Sequence, residues 1–306
     1  MLKRTLKLIK YDFRAMLKYW WIIALITVFS AGVCASCLRS ASILEKLLES
    51  DRVYSNDVLL FTVIFGRFIA TIGGYAALVI FGITLFATVL LLSIRFYKHF
   101  FTDEGYLTFT LPVSRRELYF SKVVTSMTVI LAQVAIMTVC GIVMYAFIKS
   151  DEIRELFFES SGSSSGSSEA AKIEVWRILV NWLLFLLSSA ACIFGVIGTL
   201  FANLTLTHFC ITFGSVIVKR GKIVASVGCW YLVNKVYSFL RDCLTFAFYA
   251  IGITALVFIF EFGLTFTQLL LGWLPFVVMA GAIYWTLGFL FYNVTQALID
   301  KKLNLA

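Results

Sequence analysis

Residues 75–94 read YAALVIFGITLFATVLLLSI, a run without a single charged side chain. A helix needs about 20 consecutive apolar residues to cross about 30 Å of hydrocarbon, rising about 1.5 Å per residue. The apolar residues do not alternate with polar ones, as they would along the strand of a membrane barrel. A second uncharged run, Leu269–Val294, lies near the other end of the chain. Around these runs, 61% of the 306 residues are hydrophobic, 14% are charged and only two are proline. A soluble domain carries about 45–50% apolar and about 25% charged residues, so this composition belongs to a protein built for lipid. The pattern predicts an all-α, polytopic chain: a single transmembrane domain over residues 1–306. Six transmembrane helices are expected at residues 20–37, 67–94, 123–148, 178–206, 223–245 and 269–297. The hydrophobic stretch Leu244–Phe260 fits an extension of the fifth helix, a re-entrant segment or a seventh span.

Charge sets the orientation. Lys and Arg resist translocation and accumulate in cytoplasmic loops. With the N-terminus inside, sixteen basic residues fall on the inner side and eight on the outer, where ten Asp and Glu between Glu45 and Glu174 offset them. Six spans with both termini cytoplasmic satisfy this distribution. The net charge of +9 then reflects topology and attraction to anionic lipid, and no nucleic acid is needed to explain it. Ahead of the first span, Leu2, Leu6, Ile9, Phe13 and Leu17 fall on one helical face, and Lys3, Lys7, Lys10, Arg14 and Lys18 on another. That predicts an interfacial amphipathic helix over residues 2–18, with Trp20 and Trp21 at headgroup level. The outer loop at 149–177 contains ESSGSSSGSSE (Glu159–Glu169), a flexible spacer. Seven cysteines, odd in number and mostly inside apolar runs, give no disulfide framework, and Cys34-x-x-Cys37 has no His or acidic neighbour for metal binding.

Between the second and third spans, residues 95–122 read RFYKHFFTDEGYLTFTLPVSRRELYFSK, a polar, basic and aromatic insert. Ser114 and Glu117 have the spacing of a capping box, two residues after Pro112. That spacing starts the third helix inside the cytoplasm and leaves about 96–111 as a short lateral element presenting aromatic rings and acids to a partner. The insert resembles the first cytoplasmic loop of the ABC-2 type permeases, the membrane subunits of type II ATP-binding-cassette exporters. Its sharpest part is Thr102–Pro112. KRGKIVAS at 219–226 and the terminal KKLNL are also similar to small bacterial members, and the layout of an interfacial helix and six spans is shared.

The resemblance implies several things. Residues 95–122 would be a cytoplasmic coupling loop in which Phe100, Phe101, Thr102, Asp103, Glu104, Gly105, Tyr106 and Leu107 form the coupling helix against the ATPase. Residues 2–18 would be an elbow helix. The partners implied are an ABC ATP-binding subunit, a second permease chain (a homodimer or a sister permease) and membrane lipid. The location implied is the bacterial cytoplasmic membrane. ATP and Mg would belong to the partner, because this chain lacks a phosphate-binding loop: Val216 stands where Gly221–Lys222 would need an upstream glycine. No cofactor or metal is expected in the chain itself. In that family spans two and five face the central path, which points to Arg67, Lys235 and Arg241 as contacts for an anionic or zwitterionic substrate, with Asp242 on the same path. The other reading is that they lie near the outer interface, snorkelling or paired with Asp242. The ionisable groups of span five are costly in hydrocarbon and have the same reading without the family.

Other function classes have less to stand on. The chain has two histidines, His99 and His208, and no H-x-x-x-H or G-x-S-x-G, so an intramembrane enzyme lacks its parts. An ion-coupled carrier or channel working without an ATPase is the alternative, with Asp242 the best-placed acid. A sensor or anchor subunit using the same loop is a third. The isolated polar residues His208, Asn203, Asn181, Gln133, Asn234 and Gln296 are expected to make interhelical hydrogen bonds. Ala70-x-x-x-Gly74 and Gly73-x-x-x-Ala77 are expected to let helices approach closely. The topology is tested with reporter fusions. Alkaline phosphatase joined after Gly162 should be active and joined after Lys302 inactive; activity at both would remove the even number of spans.

Overall fold

The structure, a computed structural model, describes residues 2–48, 57–102, 114–150, 168–218, 221–262 and 266–303. They form six α-helices: α1 Leu2–Leu48, α2 Asp57–Phe101, α3 Arg115–Ile148, α4 Ser168–Ile217, α5 Lys222–Phe262 and α6 Phe266–Leu303. No strand occurs among the described residues. Each helix contains a stretch long and apolar enough to cross a membrane, which makes six. The helices overrun the expected spans because nothing in their flanks stops them; caps and breakers end helices, and the flanks hold few.

Three boundaries differ from expectation in ways that matter. α1 runs through Lys18–Trp20 without a break, so the basic N-terminal segment and the first span are one helix of 47 residues. The basic face is nonetheless present, with Lys7, Lys10, Arg14 and Lys18 all exposed. Phe96–Phe101, expected within a lateral element, instead continue α2. Among the alternatives for Leu244–Phe260, the structure gives an extension, since α5 is continuous from Lys222 to Phe262.

The helices divide into two compact units. One comprises Lys10–Leu92 and Thr128–Ser164. Within it α1 carries a buried stripe of small residues, including Thr27, Ala31, Cys34 and Ala41. The glycines of α2 meet its far end. A methyl group on Gly74 would lie 2.7 Å from Leu38 Cδ2, and one on Gly73 would lie 3.4 Å from Cys37 Sγ. The small-residue spacing of α2 therefore does seat it against α1. α3 is fixed to α1 by polar contacts. Gln133, fully buried, accepts a 3.0 Å bond from Trp20 Nε1 and donates a 2.8 Å bond to Thr27 Oγ1. Near its C-terminal end, Arg39 donates to the Phe147 carbonyl and to Ser150 Oγ, with its guanidinium 4.9 Å from the centre of the Phe147 ring. A cation there complements the negative end of the α3 dipole and occupies otherwise orphaned carbonyls.

The other unit comprises Met1–Ile9, Ser93–Met127 and Ser165–Ala306. Its core is the α4–α6 seam, where rings on each helix fill glycine gaps on the other. Phe194 lies over Gly281, Trp285 over Gly198 and Phe201 over Gly288. The positions rise together along both helices, so α4 and α6 run parallel, and the four-then-three spacing is that of side-by-side supercoiled helices. Trp285 Nε1 also donates to the Phe194 carbonyl at 3.3 Å. α5 returns from α4 through Gly221, whose φ of 79° lies in the left-handed region that favours glycine. At Gly214 the α4 backbone touches α5. An added methyl would fall 2.5 Å from the Ser226 backbone nitrogen.

That contact yields a stability prediction, because a backbone atom cannot swing aside as a side chain can. Gly214→Ala should cost about 1–3 kcal/mol through overpacking, whereas Gly32→Ala, where an added methyl meets nothing within 4 Å, should be neutral or slightly stabilising. Thermal unfolding in detergent reads both. Equal behaviour of the two variants would contradict the close approach.

Candidate functional site

The features that bear on function gather around the two ends of the α2–α3 connection. On the α3 side the capping box forms as its spacing predicts. The Glu117 amide donates to Ser114 Oγ at 3.3 Å, and the Ser114 amide donates to Glu117 Oε2 at 3.2 Å. The two orphan amides are thus satisfied reciprocally, and α3 starts at Arg115. Arg115 in turn donates to the Asp300 carbonyl of α6 at 3.3 Å. On the α2 side, Phe100 and Phe101 are the last helical residues, and the Thr102 hydroxyl donates back to the Lys98 carbonyl. Asp103, Glu104, Gly105, Tyr106 and Leu107 lie outside the described residues.

Phe100 is not turned outward as a docking ring. It is buried, 4.9 Å from the ring of Phe96 on its own helix and 6.5 Å from Tyr119 on α3. Phe96 is buried too and stacks on the imidazole of His208 from α4, with centroids 4.0 Å apart and planes 16° from parallel. Tyr119 meets His208 edge-on at 6.1 Å and stacks on Tyr292 of α6 at 4.9 Å. Four helices each place a ring here. Aromatic pairs of this kind contribute about 0.5–1.5 kcal/mol each beyond the area they bury.

Polar groups inside the cluster are treated unevenly. Most buried hydroxyls of this unit donate to their own helix three or four residues back. Examples are Ser121 to Leu118, Thr125 to Ser121, Thr212 to His208 and Thr295 to Phe291, at 2.7–2.8 Å. His208, fully buried, finds no partner among the described residues for either ring nitrogen. The interhelical hydrogen bond expected of His208 is therefore not made. Gln133 does make one, whereas Asn203 donates to the Thr199 carbonyl of its own helix. The Asn181 side chain lies outside the described residues. Sequence reasoning missed the cluster because Phe96, Tyr119, His208 and Tyr292 come from four segments with no shared spacing.

The residues expected along a path fall in different units. Arg67 belongs to the unit of α1–α3 and pairs with Glu45 at 2.6 Å, both side chains half in solvent. Lys235, Arg241 and Asp242 belong to the other unit and are exposed on α5. Arg241 bonds its neighbour Asp242 at 3.3 Å, and the Lys235 ammonium sits 5.6 Å from the Tyr231 ring centre. Between α4 and α6 an apolar groove of about 420 Å³ runs past Cys192, Thr199, Ala280 and Tyr284. Among the described residues no three His, Cys, Asp or Glu side chains are placed to hold a metal ion.

Six membrane-length helices and no strand among the described residues define the class, a multi-pass helical membrane protein. Compared with protein-family models, with curated proteins and with solved structures, the chain gives no match.

The capping box gives a local prediction. Ser114→Ala or Glu117→Ala should each destabilise the start of α3 by about 0.5–2 kcal/mol, and the double variant by less than the sum, because the two bonds are one device. Amide hydrogen exchange over residues 115–120 reads the loss. Unaltered exchange in both single variants would mean the cap does not hold in solution.

Proposed function

We propose that this chain is the permease subunit of an ATP-driven exporter of the ABC-2 type, moving its substrate across a bacterial cytoplasmic membrane when a separate ATP-binding subunit hydrolyses ATP. The observation that carries the reading is the insert at 95–122 and its likeness to that family's coupling loop. Six membrane-length helices support it, as does an insert bounded by the end of α2 and a capped start of α3. The absence of a phosphate-binding loop from the sequence supports a motor on another chain.

On this reading Phe100–Leu107 is the coupling element. Because Phe100 is buried, the surface offered to the ATPase would come from the acids and Tyr106, with Phe100 anchoring the element from behind. Residues 2–18 would rest their basic face on anionic headgroups and both termini would be cytoplasmic. Two six-helix chains, identical or sister, would enclose the path. The chain itself would be no enzyme. An ion-coupled carrier or channel is the second reading, and the ionisable residues Lys235, Arg241 and Asp242 on α5 favour it.

Tagged protein purified in mild detergent from its native membranes, with mass spectrometry of what accompanies it, separates the two. A stoichiometric subunit carrying a phosphate-binding loop, lost in Glu104→Ala/Tyr106→Ala while the protein still inserts, is the expected result. A chain that purifies alone and without nucleotide hydrolysis would sink the exporter reading and move the weight to the carrier.

A further inference from the structure

We infer that His208 is a positioning residue through which movement at the α2–α3 connection passes to α4 and α6; the inference rests on the exporter reading. Both ends of the connection converge on this imidazole. Phe96, in the last two turns of α2, stacks on it with Phe100 packed against Phe96, and Tyr119, five residues past the Ser114 cap, meets it edge-on. Behind Tyr119 stands Tyr292 of α6, so a displacement of either end presses on both α4 and α6.

The chemistry of the contact suits a moving joint. His208 is fully buried and neither nitrogen has a hydrogen-bond partner among the described residues, so ring packing alone places it. A stack can slide or tilt with little change in energy, whereas a hydrogen bond is directional and must break. The contrast with Gln133 is sharp: that side chain is tied to Trp20 and Thr27 by two bonds, which suits a contact that stays fixed. An imidazole is also a poor choice for a static core. Its unsatisfied nitrogens lower stability where a phenyl ring of similar shape would not, and residues that cost stability are retained where function uses them.

The test therefore reads stability and coupling together, in the complex with the co-purified ATPase. His208→Phe keeps the stack and removes the two unsatisfied nitrogens. It should raise the melting temperature, leave the ATPase bound and lower ATP hydrolysis by the complex about tenfold, a loss within the usual range of coupling effects. Nucleotide should also stop altering amide exchange over residues 292–300 of α6. His208→Ala should retain the ATPase and lose the same response, but with a lower melting temperature. If His208→Phe destabilises the protein, the residue is a structural one and the inference fails. It fails equally if His208→Phe leaves hydrolysis and the nucleotide response of residues 292–300 as in the natural protein. Should no ATPase accompany the unaltered chain, the exporter reading fails and takes this inference with it.

Discussion

Hydrocarbon offers nothing that can hydrogen-bond to a peptide group, and that constraint shapes everything else in this chain. Each backbone amide and carbonyl must find its partner inside its own segment, which leaves the long helix as the economical solution. Polar side chains obey the same rule on a smaller scale. Thr27, Thr84, Thr88, Thr205, Thr212 and Thr295 are buried, and each donates to a carbonyl of its own helix three or four residues back. A polar group left unspent in the interior is therefore unusual, and among the described residues His208 and the hydroxyl of Tyr237 stand out for that reason.

Helices surrounded by lipid gain little from hiding apolar surface from one another, so shape and a few hydrogen bonds must hold them together. The two units solve this differently. In the unit of α1–α3, Gly73 and Gly74 bring α2 against α1, while Gln133 and Arg39 fix α3 to α1 through bonds whose geometry allows little play. In the unit of α4–α6, interlocking rings and glycines do most of the work, and the aromatic cluster extends the same principle to the ends of α2 and α3.

How much of this was legible in the sequence depends on range. Uncharged runs such as Tyr75–Ile94 announce helices directly, because lipid imposes a simple composition rule, and six helices of that kind are present. The Ser114–Glu117 cap was legible because both partners sit within one turn. The helix ends elsewhere were not, since Phe96–Phe101 and Leu244–Phe260 carry no breaker and continue the helix before them. The small-residue spacing at Gly73 and Gly74 pointed to a real contact, yet the closer glycine–aromatic seam of α4 and α6 escaped notice. Its two halves, Phe194/Gly198/Phe201 and Gly281/Trp285/Gly288, acquire meaning only when laid beside each other. For the same reason the ionisable residues gave the least. Arg67, placed in a span by the sequence, pairs with Glu45 of a different helix, a partner that no local spacing announces.

The α4–α6 seam restricts how this part of the molecule can change shape. Three rings sit in three gaps at matching heights, so neither helix can creep along the other by a fraction of a turn without driving Trp285 or Phe201 into backbone. The next register that interlocks is about a full turn away, a shift of about 5.4 Å. Between those settings the pair behaves as one rigid lever, and any tilt imposed at one end must appear undiminished at the other.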